Sequence, residues 1–143
     1  MDGPKKLLIL VAMVLVCSST TTAHSTWPNK WRVDIVNGLS SGQTLFIHCK
    51  SKDDDLGIHN LAVGAKFGWN FRDNLWGTTL FWCYMRKPDN ANASFEVYWD
   101  DKSKEQWLYN FCNWEDCIWT AKDDGIYIKN ILGNKDELAH KWG

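Results

Sequence analysis

The chain has 143 residues, 16 lysines and arginines against 17 aspartates and glutamates, and a formal net charge of -1. Acids and bases are interspersed, so there is no basic face to draw in nucleic acid or an anionic membrane, and neither is expected as a partner. In chain order, Lys5 and Lys6 precede an apolar run over 7–16, and small polar residues follow over 17–23. The run is too short for a bilayer span, which needs roughly 20 apolar residues. Residues 1–23 therefore read as a cleaved secretory signal, cut after Ala23, and 24–143 as one secreted domain without membrane insertion. Lys135-Asp136-Glu137-Leu138 spells an endoplasmic-reticulum retention signal, but that signal is read at a free C-terminus and here lies inside the chain.

Cys17 leaves with the signal, and Cys49, Cys83, Cys112 and Cys117 remain. In an oxidising compartment four thiols imply two disulfides, with three possible connectivities that sequence alone does not separate. Cys112 with Cys117 and Cys49 with Cys83 is the favoured set, because the first pair is local and the second joins two apolar strands. The cysteines are unevenly spaced with no Cys-x-x-Cys pair, so no zinc site or other metal is expected.

Along the mature chain, residues 32–37 alternate Val33 and Ile35 with Arg32 and Asp34, the period of a half-buried strand. A second strand over 45–50 places Leu45, Ile47 and Cys49 on one face and Phe46 and His48 on the other. Neighbouring strand residues point to opposite faces, so His48 and Cys49 do not make a base and its nucleophile. A polar loop over 51–57 carries Lys52, Asp53, Asp54 and Asp55; calcium loops alternate their ligands, and three successive aspartates do not. Further strands are expected over 58–63 and 66–71. The stretch 77–84 is apolar on both sides of its alternation, Thr79, Phe81 and Cys83 against Leu80, Trp82 and Tyr84, as in a central strand. Lys87-Pro88-Asp89-Asn90 is a turn, and Asn92-Ala93-Ser94 fits the N-glycosylation sequon.

Phe95, Val97 and Trp99 alternate with Glu96 and Tyr98 in another strand, and 100–105 is a charged loop holding Asp100 and Asp101. Strands over 106–112, 118–121 and 125–130 follow, the last two joined by Asp123-Asp124-Gly125, and the tail from Gly133 is expected to form a fraying helical turn. Short strands between turns, without a long helical period, predict an all-β antiparallel sandwich of about seven to eight strands. The 10 tryptophans suit a thin two-sheet core. Trp27, Trp31 and Trp76 lie near chain ends or loops and are expected to be exposed.

The run His48-Cys49-Lys50-Ser51-Lys52-Asp53-Asp54-Asp55-Leu56-Gly57, then Gly77-Thr78-Thr79-Leu80-Phe81-Trp82-Cys83, Cys117-Ile118-Trp119 and Asp124-Gly125-Ile126-Tyr127 resemble the plant self-incompatibility S-protein family. The resemblance implies a small secreted β-sandwich with two disulfides. It also implies a ligand role, since the founding members are stigma ligands read by a membrane receptor in pollen.

The leading expectation is an extracellular, monomeric protein ligand acting in cell-cell signalling, without cofactor or catalytic residues, that meets a cell-surface receptor protein through loops 51–57, 87–92 and 100–105. Its candidate contacts are Lys52, Asp53, Asp54, Asp55, Lys87, Asp89, Asp100 and Asp101. A carbohydrate-binding module would instead present coplanar exposed tryptophans. A hydrolase would need His48 or His59 to converge in a cleft with a carboxylate from 53–55.

Overall fold

The computed structural model describes residues 29–143, so the expected signal peptide and Trp27 lie outside the described residues. Nine strands and one short helix follow in order: β1 (Lys30–Asn37), β2 (Leu45–Ser51), β3 (Asp55–Leu61), β4 (Lys66–Arg72), β5 (Leu80–Arg86), β6 (Asn92–Trp99), α1 (Trp107–Phe111), β7 (Asp116–Lys122), β8 (Gly125–Asn130) and β9 (Lys135–His140). They form two sheets, β4-β1-β7-β8-β9 and β3-β2-β5-β6. The fold is all-β with two sheets and two disulfides, as expected. Its sheets are antiparallel except where β1 runs parallel to β7.

The alternation of β5 is realised as a central strand between β2 and β6. Phe81, Cys83 and Met85 are buried in the core, while Trp82 faces out. Opposite them, β1 contributes Trp31, Val33 and Ile35, and β7 contributes Cys117, Trp119 and Ala121. Trp119 is fully buried, and its indole Nε1 donates to the Val97 carbonyl at 2.9 Å, joining the two sheets through the middle of the core. Cys49 and Cys83 are directly opposed across β2 and β5, with Cα atoms 4.0 Å apart, so their disulfide staples one sheet. The Cys112–Cys117 disulfide closes the turn from α1 into β7.

Five expectations are corrected. Residues 106–112 are not a strand: Trp107, Tyr109 and Phe111 alternate in sequence, but Leu108, Tyr109 and Cys112 are buried at helical spacing. The buried Asp101 carboxylate accepts from the Leu108 N–H at 3.0 Å and so supplies the helix with an N-terminal acceptor. The tail is not helical but forms β9 on the edge of the larger sheet, where Lys135, Asp136 and Glu137 give the charge that keeps an exposed edge from pairing with other chains. One expected strand is thus lost and one gained, and the described residues hold nine. Trp31 is only 1% exposed and belongs to the core, not to a loose chain end. Finally, β3 begins at Asp55, so the polar loop before it is shorter than expected, and β5 begins at Leu80 rather than Gly77.

The two disulfides differ in the chain they close, with sequence separations of 34 and 5. Loop-closure entropy then predicts a loss of about 4 kcal/mol on replacing Cys49 and Cys83 by alanine, and about 2 kcal/mol for Cys112 and Cys117. Urea unfolding of the two double variants checks this order.

Candidate functional site

One end of the smaller sheet carries a cleft between its connections. The register pairs Ser51 with Phe81 and Leu80 with Trp99, so the β2–β3, β4–β5 and β6–α1 connections all lie at this end. The first two border a cleft of about 510 Å³, with Lys52, Asp53 and Asp54 on one side, Asn74, Trp76 and Thr78 on the other, and Trp82 on its wall.

The β2–β3 turn is closed by its own backbone: Ser51 N–H donates to the Asp54 carbonyl at 2.8 Å, and Asp54 N–H donates to Ser51 Oγ at 3.0 Å. This leaves Lys52, Asp53 and Asp54 exposed at the tip. Asp55 is placed differently. Its carboxylate accepts from the Gly57 N–H at 2.9 Å, meets His48 Nε2 at 2.7 Å and lies 3.8 Å from Lys50 Nζ. The Gly57 amide first, and His48 next, hold its pKa below the usual carboxylate range. Its oxygens are engaged with its own hairpin.

The β4–β5 loop is organised by Asn74. Its Oδ1 accepts from the N–H groups of Trp76 at 3.2 Å and Thr78 at 3.0 Å, its Nδ2 donates to Thr78 Oγ1 at 2.8 Å, and its own N–H donates to Thr79 Oγ1 at 2.7 Å. A local side-chain network of this kind fixes a loop that has no ladder to join. At its tip Leu75 is 64% and Trp76 82% exposed.

The base of the loop is pinned into the core. Asp73 accepts from Trp31 Nε1 at 2.8 Å and from the Tyr98 hydroxyl. Burial raises its pKa, against the opposing pull of those two donors. Gly77, at φ 64°, sits so close to Asp100 that a Cβ would collide with the carboxylate. Asp100 in turn accepts from the Tyr109 hydroxyl.

The remaining expected contacts are distributed unevenly. Asp101 is corrected from a display residue to a structural one: it is 6% exposed, and its Oδ1 accepts from the Ser103 N–H and hydroxyl while Oδ2 serves Leu108. Burial alone would raise its pKa, yet these donors bring it below the usual range. Lys87 and Asp89 lie at the opposite end of the sheet, where Arg86 pairs with Phe46. There Lys87 Nζ sits 3.5 Å from Asp89, donates to the Asp123 carbonyl at 3.2 Å and lies over the Trp142 ring. Asn92 is exposed at this same end, its backbone exchanging hydrogen bonds with Gly143.

His48 and Asp55 do meet, but neither lines the cleft, and His59 stacks on Phe67 while its Nε2 is 2.9 Å from the Leu56 carbonyl oxygen. Among the described residues no group of three or more His, Cys, Asp or Glu could hold a metal ion. The loop over 73–79 was absent from the expected contact set; the signal was an apolar pair, Leu75-Trp76, held between Asn74 and Thr78-Thr79 in an otherwise polar connection.

Replacing Asn74 with alanine removes the central acceptor of the loop. We expect about 1–2 kcal/mol of destabilisation, with backbone order parameters at 75–78 falling below about 0.6 while those of β2 and β5 stay rigid. Amide ¹⁵N relaxation measures this.

A family model described as plant self-incompatibility protein S1 matches residues 32–142. Among curated relatives, the chain is 45% identical to S-protein homolog 1 of Arabidopsis thaliana, over 95% of this chain and 92% of that protein. It is 44% identical to S-protein homolog 74 of the same plant, with the same coverage. A solved structure of a self-incompatibility protein homologue, described as one of a widespread family of small, highly stable, secreted plant proteins, superposes with a TM-score of 0.57 at 22% identity. The match covers 80% of this chain and 95% of that one.

Proposed function

The chain belongs to the plant self-incompatibility protein S1 family, and from that premise we propose that it is a secreted, monomeric protein ligand that binds a cell-surface receptor through the Trp76 end. The observation that carries this reading is Trp76 itself, a large apolar side chain 82% exposed on a loop whose backbone is already fixed by Asn74. Exposing an indole to water is unfavourable, and a backbone already fixed beneath it lowers the entropy cost of a later contact. Tryptophan is also among the residue types most enriched in interface hot spots, which sit inside a polar rim. Lys52, Asp53 and Asp54 furnish that rim across the cleft.

Secretion rests on the signal-like residues 1–23 and on the likeness to a family described as secreted. Among the described residues no helix is long and apolar enough to cross a membrane. A glycan on Asn92 would stand at the end of the sheet away from the cleft and leave it open. No catalytic role is part of this proposal.

The test is saturable binding of labelled protein to plant plasma-membrane preparations. Trp76→Ala is expected to weaken binding at least about tenfold, the effect of losing a hot spot, with the fold intact by circular dichroism. Lys87→Ala, at the opposite end, is expected to leave binding unchanged. Equal affinity of wild type and Trp76→Ala would reject the interface.

A further inference from the structure

The outer face of the larger sheet holds a group of charges that the loop end does not use. Asp34 on β1 is 3% exposed and takes a bidentate guanidinium from Arg32, with Nε at 3.1 Å from both oxygens and Nη2 at 2.9 Å from Oδ1. It lies over Gly68 of β4 so closely that a Cβ there would collide with its Oδ1. Asp116, at the start of the parallel partner strand β7, pairs in register with Arg32. Its Oδ1 is buried with no hydrogen-bond partner, and the register sets Asp34, paired with Ile118, diagonally across the seam on the same face.

Two ionised carboxylates cannot satisfy each other, because each only accepts. If one carries a proton, the orphaned oxygen becomes a donor and the contact turns attractive. We infer that Asp34 and Asp116 share a single proton, making the parallel seam between β1 and β7 a joint that tightens in acid and loosens as that proton is lost.

The surrounding charges fit this assignment. On β1, Arg32 is committed to Asp34; on β4, Lys66 acts on Asp116 only through its charge at a distance, while Gly68 and Asn70 bring no charge; on β7, the next residue on the same face is the apolar Ile118. On β8 the alternation that pairs Tyr127 with Thr120 puts Lys129 beyond Ile118. Burial, and then the Asp34 carboxylate, push Asp116 up to about 7, against the weaker pull of Arg32 and Lys66. The folded chain therefore holds the proton more tightly than the unfolded chain. Stabilisation is complete below the ordinary aspartate range near 4 and is lost as pH rises through about 7. The inference is independent of the receptor reading, since neither residue lies at the cleft.

Carboxyl-detected ¹³C NMR on the wild-type protein tests it without any substitution. Asp116 is expected to titrate with a midpoint near 7. In parallel, the wild-type urea midpoint should fall from pH 5 to pH 8, and Asp116→Asn, which supplies a permanent donor, should remove most of that fall. An Asp116 midpoint below about 5, inside the ordinary aspartate range, would overturn the shared proton. So would an equal fall in wild type and Asp116→Asn.

Discussion

The half-buried Asp73 carboxylate is the joint on which the arrangement of this protein turns. It accepts from Trp31 of β1 in one sheet and from Tyr98 of β6 in the other, and it is also the first residue of the loop that carries Trp76 at its tip. Removing a carboxylate from water is costly, and the fold offsets that cost with donors from both layers. The same bonds that close the core thereby set the position and direction of the loop leaving it. Trp31 also packs against Tyr98, Tyr109 and Trp114, with ring centroids 4.8–6.2 Å apart, so the joint is embedded in an aromatic cluster rather than hung from a single contact.

The two ends of the smaller sheet consequently have different characters. At one, loops fixed by Asn74 and by the Ser51 turn border a cleft and hold an indole out in solvent. At the other, the chain closes on itself: Gly143 exchanges backbone bonds with Asn92, Trp142 Nε1 donates to the Lys122 carbonyl at 2.7 Å, and Lys87 covers the Trp142 ring. That clasp ties the smaller sheet to the β7–β8 turn of the larger one. A cleft with an exposed indole at the first end and a fastening at the second give the two poles of the molecule different surfaces.

Much of the architecture was legible in the sequence because β1, β2, β5, β7 and β8 have a clear core face, and period-2 patterning reports that directly. The failures have particular causes. Helix α1 was hidden because Trp107, Tyr109 and Phe111 happen to alternate, and the acceptor that favours the helix, Asp101, belongs to the preceding loop. Strand β9 was hidden because an edge strand carries charge and lacks the apolar face that marks its neighbours. Tyr98 was expected to point away from Val97, yet both are buried, where a register shift between Phe81 and Trp82 breaks the alternation. At the candidate site the charged tip was legible, whereas Asp101 looked like display until its hydrogen bonds were seen. The network that fixes the backbone at Trp76 depends on contacts within a connection that has no periodicity to read.

The central claim is that contact is made through one end of the molecule. Amide hydrogen exchange of the labelled wild-type protein, free and bound to receptor-bearing membranes, tests it most directly. The account predicts slowed exchange confined to residues 52–54 and 74–82, with 87–92 unchanged. Protection centred on 87–92, or spread evenly over both ends, would contradict it.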